Sequence, residues 1–151
     1  ILLRFIGRFG NEIHDMFQSS SLKDSIEIIG YVTHEKSISY VQVSDVLLLI
    51  VDESKESEEI VPGKVYEYIG SMKPVLAIAP EQGAIADLIK ETQAGGIAHQ
   101  SNIEGIASII FEMYSAFKKG LPLANPHKEI IQCYERREST KKLAELLDGK
   151  Y

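Results

Sequence analysis

Short apolar runs rich in β-branched residues alternate along the chain with segments whose apolar positions recur at helical spacing. That alternation is how a parallel sheet covered by helices on both faces is written. The runs predict strands over residues 2–6, 26–31, 45–51, 74–79 and 96–99, each leading towards a helix. The clearest helix opens at the capping-box sequence Ser101-Asn102-Ile103-Glu104 and stops at Gly120, with Pro122 just beyond. Its apolar face is predicted to carry Ile103, Ile106, Ile110, Met113, Tyr114 and Phe117. Shorter helices are predicted over residues 35–43, 64–71 and 84–91, the last with Ile85, Leu88 and Ile89 as its stripe. Residues 126–149 read as a charged helical arm, with Ile130, Ile131, Tyr134, Leu143, Leu146 and Leu147 for contacts and a break near Ser139-Thr140. The expected fold class is a doubly wound α/β domain closed by C-terminal helices.

Composition narrows the classes of function. At 151 residues the chain is long enough for one domain with its own core, and 44% hydrophobic with 25% charged residues excludes disordered and collagenous chains. A formal charge of -6, with no local Lys/Arg cluster, speaks against nucleic acid as a partner. The lone Cys133 cannot form an internal bridge, which fits a reducing compartment. The longest apolar run, Val46 to Val51, is far short of the roughly 20 residues of a membrane-spanning helix, so a soluble chain is expected. The chain opens on Ile1-Leu2-Leu3-Arg4-Phe5-Ile6-Gly7, a strand with no initiator Met, and is expected to be part of a longer protein.

In an open α/β sheet the ligand crevice lies beyond the carboxyl ends of the strands, which singles out four segments. Gly7-Arg8-Phe9-Gly10-Asn11 offers Arg8 for an anion, but it is not a G-x-G-x-x-G fingerprint, and a turn explains its glycines. In Gly30-Tyr31-Val32-Thr33-His34, Thr33 can cap the next helix, and a single His34 without ligand-spaced partners reads as a helix-terminus residue. The acidic stretch from Asp52 to Glu59 leads into Pro62-Gly63-Lys64, a helix start whose amides, dipole and lysine favour a phosphate. Glu67 follows one turn later, and a carboxylate there can accept two hydroxyl hydrogen bonds from a ribose or another diol. Glu67 as a mere complement to the helix dipole is the plainer alternative; together with Lys64, a ligand site is favoured. Pro80-Glu81-Gln82-Gly83 is a fourth polar helix entry, equally readable as an ordinary loop.

Glu59 and Glu67 form an E-x7-E pair that continues through Pro62-Gly63-Lys64-Val65-Tyr66-Glu67-Tyr68-Ile69-Gly70 to Lys73-Pro74-Val75. With Ile29-Gly30-Tyr31-Val32, His34, Ser44-Asp45-Val46, Pro80-Glu81-Gln82-Gly83 and Ala94-Gly95, this resembles the donor-binding half of a group 1 (family 4) retaining glycosyltransferase of GT-B architecture. The resemblance covers most of the chain. It implies a Rossmann-like nucleotide-sugar domain over residues 1–125, with residues 126–151 as a C-terminal helical arm of the same domain. It assigns Glu67 to the donor ribose and Glu59, the candidate catalytic residue, to the donor sugar, with Glu58 as the alternative first glutamate. It places the base near Tyr31 and Val32 and the diphosphate near Gly63 and Lys64, and it counts Pro62 and His34 among the donor-binding residues.

Two departures accompany it: the family's donor domain normally begins one strand and helix earlier, with a basic pair on the diphosphate, and an acceptor-binding domain normally precedes it. The implied activity is transfer of a sugar from a nucleotide-diphosphate donor to an acceptor hydroxyl with retention, by a chain that alone holds an incomplete cleft. No cofactor and no metal are expected, since a helix dipole and basic side chains can stabilise a departing diphosphate. The implied partners are the nucleotide sugar and a sugar or lipid-linked acceptor. The implied setting is polysaccharide or glycolipid synthesis in the cytoplasm or at the cytoplasmic face of a membrane. A nucleotide-sugar epimerase of the same architecture and a non-catalytic Rossmann-like module are the rival readings.

Overall fold

The computed structural model describes residues 1–52 and 61–149. Two compact units make up the chain, Ile1–Val43 and Ser44–Tyr151. The class is α/β, and every strand pairing is parallel. The expected single sheet appears as two ladders, a two-stranded one in the first unit and a three-stranded one in the second.

In the first unit, β1 (Leu3–Ile6) pairs in register with β2 (Ile26–Ile29), and α1 (Asn11–Ser19), a 3-10 turn (Lys23–Ser25) and α2 (His34–Val43) complete it. None of its residues is fully buried. Its strands are held instead by pairs that a two-stranded sheet can make at its surface. Arg4 faces Glu27 across the ladder and ion-pairs with it, while the same guanidinium lies 5.3 Å from the Tyr40 ring centre. Phe5 stacks on Phe17 at 5.0 Å and meets Phe9 edge-on at 5.9 Å, so the loop after β1 and helix α1 close on one aromatic cluster.

The second unit holds the core. Strands β3 (Leu47–Ile50), β4 (Val75–Ile78) and β5 (Gly95–Ala98) run in the order β3-β4-β5, with α3 (Lys64–Gly70), α4 (Ala84–Thr92), α5 (Ile103–Lys118), α6 (Lys128–Gln132) and α7 (Arg136–Leu147) around them. Side chains alternate across a strand, so Leu49, Val51, Val75, Ala77 and Ala79 share one face, where they meet Val65 and Ile69 of α3, Ile85, Leu88 and Ile89 of α4, and Ile131 of α6. On the other face Gly96 leaves room for α5: a Cβ there would lie 2.7 Å from Ile109 Cγ2. The sheet is therefore covered on both sides, which is why β4 reads as an unbroken apolar run.

Besides the divided sheet and α1 (Asn11–Ser19), a helix that the spacing did not predict, sequence and structure differ at α5 and in the C-terminal arm. The cap of α5 is Asn102, whose Oδ1 accepts from Gly105 N at 2.9 Å, because Ser101 is engaged with His99. The buried side of α5 runs through Ile106, Ile109, Met113 and Ala116, while Ile103, Ile110, Tyr114 and Phe117 are exposed. This helix is apolar around much of its circumference, so periodicity alone did not pick the inward face. The break in the C-terminal arm falls at residues 133–135, and α7 runs straight through Ser139 and Thr140. Thr140 Oγ1 donates to Arg136 O at 2.8 Å and so stays satisfied inside the helix. The turn before α7 is set by Tyr134, which donates to Glu91 Oε2 at 2.7 Å and meets the Tyr66 ring at 6.0 Å.

Backbone passes too close at Gly95 for any side chain: an added Cβ would lie 1.9 Å from Val75 O. Gly95→Ala is expected to lower stability by about 1–3 kcal/mol or more, since backbone must move to admit the methyl group. Urea denaturation followed by far-UV circular dichroism measures this; an unchanged midpoint would contradict the register of β4 against β5.

Candidate functional site

Helix α3 carries the strongest sequence-predicted residues. Pro62 and Gly63 precede it, Val65 N donates to Pro62 O at 2.9 Å, and Tyr66 N donates to Gly63 O at 3.3 Å, which winds a tight first turn. Val65 and Ile69 are fully buried against the sheet, and this anchors the helix so that Lys64 and Glu67, three residues apart, share the exposed side. The half-buried Tyr68 phenol is pushed above its ordinary pKa, first by burial and then by the Glu67 carboxylate beside it. A cationic and an anionic side chain thus stand together on one rigid turn, a pairing that suits a ligand bearing both a phosphate and hydroxyl groups.

The first glutamate of the E-x7-E pair, whether Glu58 or Glu59, lies outside the described residues. Tyr31, Val32 and His34 belong to the first unit, at the junction of β2 and α2. Tyr31 is exposed and its ring lies 5.3 Å beneath the Arg8 guanidinium, so the loops after β1 and β2 meet through a cation–π contact. Val32 is half-buried, and His34 is the exposed first residue of α2. Thr33 caps that helix as expected, its Oγ1 accepting from Lys36 N at 3.4 Å.

At the carboxyl ends of β4 and β5 the structure joins two segments that the sequence presents separately, the Glu81 loop and the start of α5. Glu81 Oε1 accepts from His99 N at 3.1 Å and from Asn102 Nδ2 at 3.4 Å, and Lys90 Nζ donates to Glu81 O at 3.2 Å. Ser101 N donates to His99 Nδ1 at 3.2 Å, and Ser101 Oγ lies 2.7 Å from the same nitrogen, so Nδ1 acts as acceptor. One carboxylate therefore ties the loop before α4 to the loop before α5. Gly83, at φ 92°, adopts a backbone conformation that side chains disfavour and lets the first of these loops turn into α4. Both loops directly follow strands, which was the available signal; the 21-residue separation of Glu81 and Asn102 hid their contact.

A cavity of about 460 Å³ lies at the opposite edge, among Ile89, Gly95, Gly96, Ile109 and Met113 at the amino end of β5. It belongs to the packing of α4 and α5 and includes none of the predicted site residues. Among the described residues no three His, Cys, Asp or Glu side chains are grouped to hold a metal ion, and no helix is long and apolar enough to cross a membrane. No protein-family model matches the chain, and no curated protein matches it.

The Glu81 carboxyl is held below the usual glutamate range, chiefly by the His99 amide and next by the Asn102 amide. A carboxyl lowered in the folded state contributes stability that is complete above the ordinary glutamate pKa and is lost as pH falls through the lowered value. The His99 backbone amide is therefore expected to show an acid transition below the ordinary glutamate range when followed by NMR. In Glu81→Gln that transition should vanish; its persistence would assign the shift to another group. Tyr134 is the alkaline counterpart, its phenol pushed up to about 12 first by its hydrogen bond to Glu91 and then by burial.

Proposed function

We propose that this chain is the donor-binding half of a retaining glycosyltransferase of GT-B architecture, which takes a nucleotide-diphosphate sugar and passes the sugar to an acceptor hydroxyl. The observation that carries the reading is the first turn of α3, where Lys64 and Glu67 are both exposed on one side of a helix whose other side is locked into the core. The parallel sheet and its two helical layers support it, because α3 follows β3 and so begins at the edge where such sheets bind ligands.

In this reading Glu67 accepts hydrogen bonds from the two ribose hydroxyls, fixing the nucleoside at one end of the turn. Lys64 and the backbone of Gly63 meet the diphosphate, where positive charge is needed most as the sugar leaves and negative charge builds on the departing phosphate. The chain's own contribution is thus to hold the donor and to stabilise the leaving group. Nothing in the reading calls for a nucleophile supplied by the described residues.

Binding separates the two roles. Glu67→Ala is expected to weaken a nucleoside diphosphate by roughly 1.5–3 kcal/mol, the loss of charge-assisted hydrogen bonds, with the melting temperature unchanged because the side chain is exposed. Lys64→Ala should weaken diphosphates while leaving a plain nucleoside unaffected. Ligand-observed NMR against uridine, guanosine and adenosine diphosphates and their sugar conjugates makes the comparison. Unchanged affinity in a folded Glu67→Ala protein would remove the ribose assignment, and an equal loss for nucleoside and diphosphate in Lys64→Ala would remove the phosphate role.

A further inference from the structure

Helix α5 is divided lengthwise into three sectors. Ile106, Ile109, Met113 and Ala116 face the sheet, and Glu104, Ser108, Glu112, Ser115 and Lys119 make a polar strip. The third sector is apolar and uncovered: Ile103, Ala107, Ile110, Tyr114 and Phe117, with Leu121 directly after the helix and Phe111 on its flank. Ile103 is 76% and Phe111 71% exposed, values more typical of charged side chains. The helix end is firm, because Gly120 N donates to Phe117 O and Leu121 N to Ala116 O, a Schellman closure that holds Leu121 against the last turn.

The spacing of the uncovered residues is the informative part. They recur at intervals of four and three, the a/d rhythm of a helix that pairs with another helix. The series is also symmetric about its own middle. Laid antiparallel on a second copy, Ile110 meets the partner's Tyr114, Ala107 meets the partner's Phe117, and Ile103 meets the partner's Leu121. The small Ala107 thereby faces the large Phe117, as close packing requires. The flanking positions on the outer side are Glu104, Phe111 and Lys118, all exposed. In the same register Phe111 meets its own counterpart on the two-fold axis, and Glu104 stands beside the partner's Lys118 at both ends. A parallel arrangement, with its two-fold axis along the helices, would put the two outer flanks on opposite sides of the seam and leave Glu104 and Lys118 without each other.

We propose that the chain forms a two-fold symmetric dimer through α5, two copies of the helix pairing antiparallel along the Ile103 to Leu121 stripe with Glu104–Lys118 pairs closing the outer flank. A 16-residue helix is about 24 Å long, so the stripe alone buries less than the roughly 800 Å² per partner of a standard interface. The dimer is accordingly expected to be weak and concentration-dependent. The charged pairs set orientation, and the apolar stripe supplies the affinity.

Sedimentation velocity over a wide concentration range tests this on the 151-residue chain. The wild type should pass from monomer to dimer, and Phe111→Glu should weaken the dimer by at least about tenfold by setting two carboxylates on the axis. Ala107→Glu, a change at a small exposed position, should do the same, with far-UV circular dichroism confirming that both variants stay folded. Lys118→Glu should weaken the dimer, and adding Glu104→Lys should restore it to within about threefold. A monomer at every concentration, a dimer indifferent to both glutamate substitutions, or a charge swap that restores nothing would each overturn the proposal. So would a monomer that co-sediments with anionic phospholipid vesicles, which would assign the stripe to a membrane surface.

Discussion

Strand β4 is the member on which the second unit depends. It is hydrogen-bonded on both sides, and Val75 and Ala77 are wholly withdrawn from water between two layers of helix. Gly95 allows β5 to lie against Val75 so closely that any side chain at that position would collide with backbone. With β4 fixed, the faces of the sheet are fixed, and every helix that covers it is confined to one side. Thr92 shows how tightly the cover is drawn: it is fully buried, its hydroxyl donates to Leu88 O, and its own carbonyl accepts from His127 N. Through that last bond the end of α4 holds the approach to α6, whose Ile131 completes the core.

The chemistry sits on this frame rather than within it. Burial of Val65 and Ile69 turns Lys64 and Glu67 outward, so core contacts decide the direction of two polar side chains one and two residues away. The same logic applies at the neighbouring loops, where Glu81 ties two separate connections into one linked edge. Ligand-binding groups on short turns need this support, because a group free to wander adds little to affinity beyond its cost in entropy. The first unit uses different means. With no buried residue it relies on the Arg4–Glu27 pair and the Phe5, Phe9 and Phe17 cluster, contacts that favour a strand pair but leave more apolar surface exposed.

Helix α5 links the two themes. Its sheet-facing side is chosen by Gly96, which admits Ile109, and the apolar sector beside it is left uncovered. A chain that needed only to cover its own sheet would place polar residues there. An apolar stripe in a/d rhythm with opposite charges at its two ends has the composition of an interface.

Much of this was written locally. Five strands, the apolar stripe of α4, the Thr33 cap and the stop at Gly120 follow from periodicity and end signals that involve residues within one turn or one strand of each other. The Lys64 and Glu67 pair was legible for the same reason, since three positions on a helix are neighbours in any fold. Tertiary structure decided what depends on distant partners. It set which side of α5 faces inward, for a helix with two apolar sectors has no single stripe to read, and it moved the cap from Ser101 to Asn102 once His99 claimed the serine. It also placed the break in the C-terminal arm, because Tyr134 is held by Glu91, 43 residues away. Local spacing determines which elements form; only packing determines which of their faces meet.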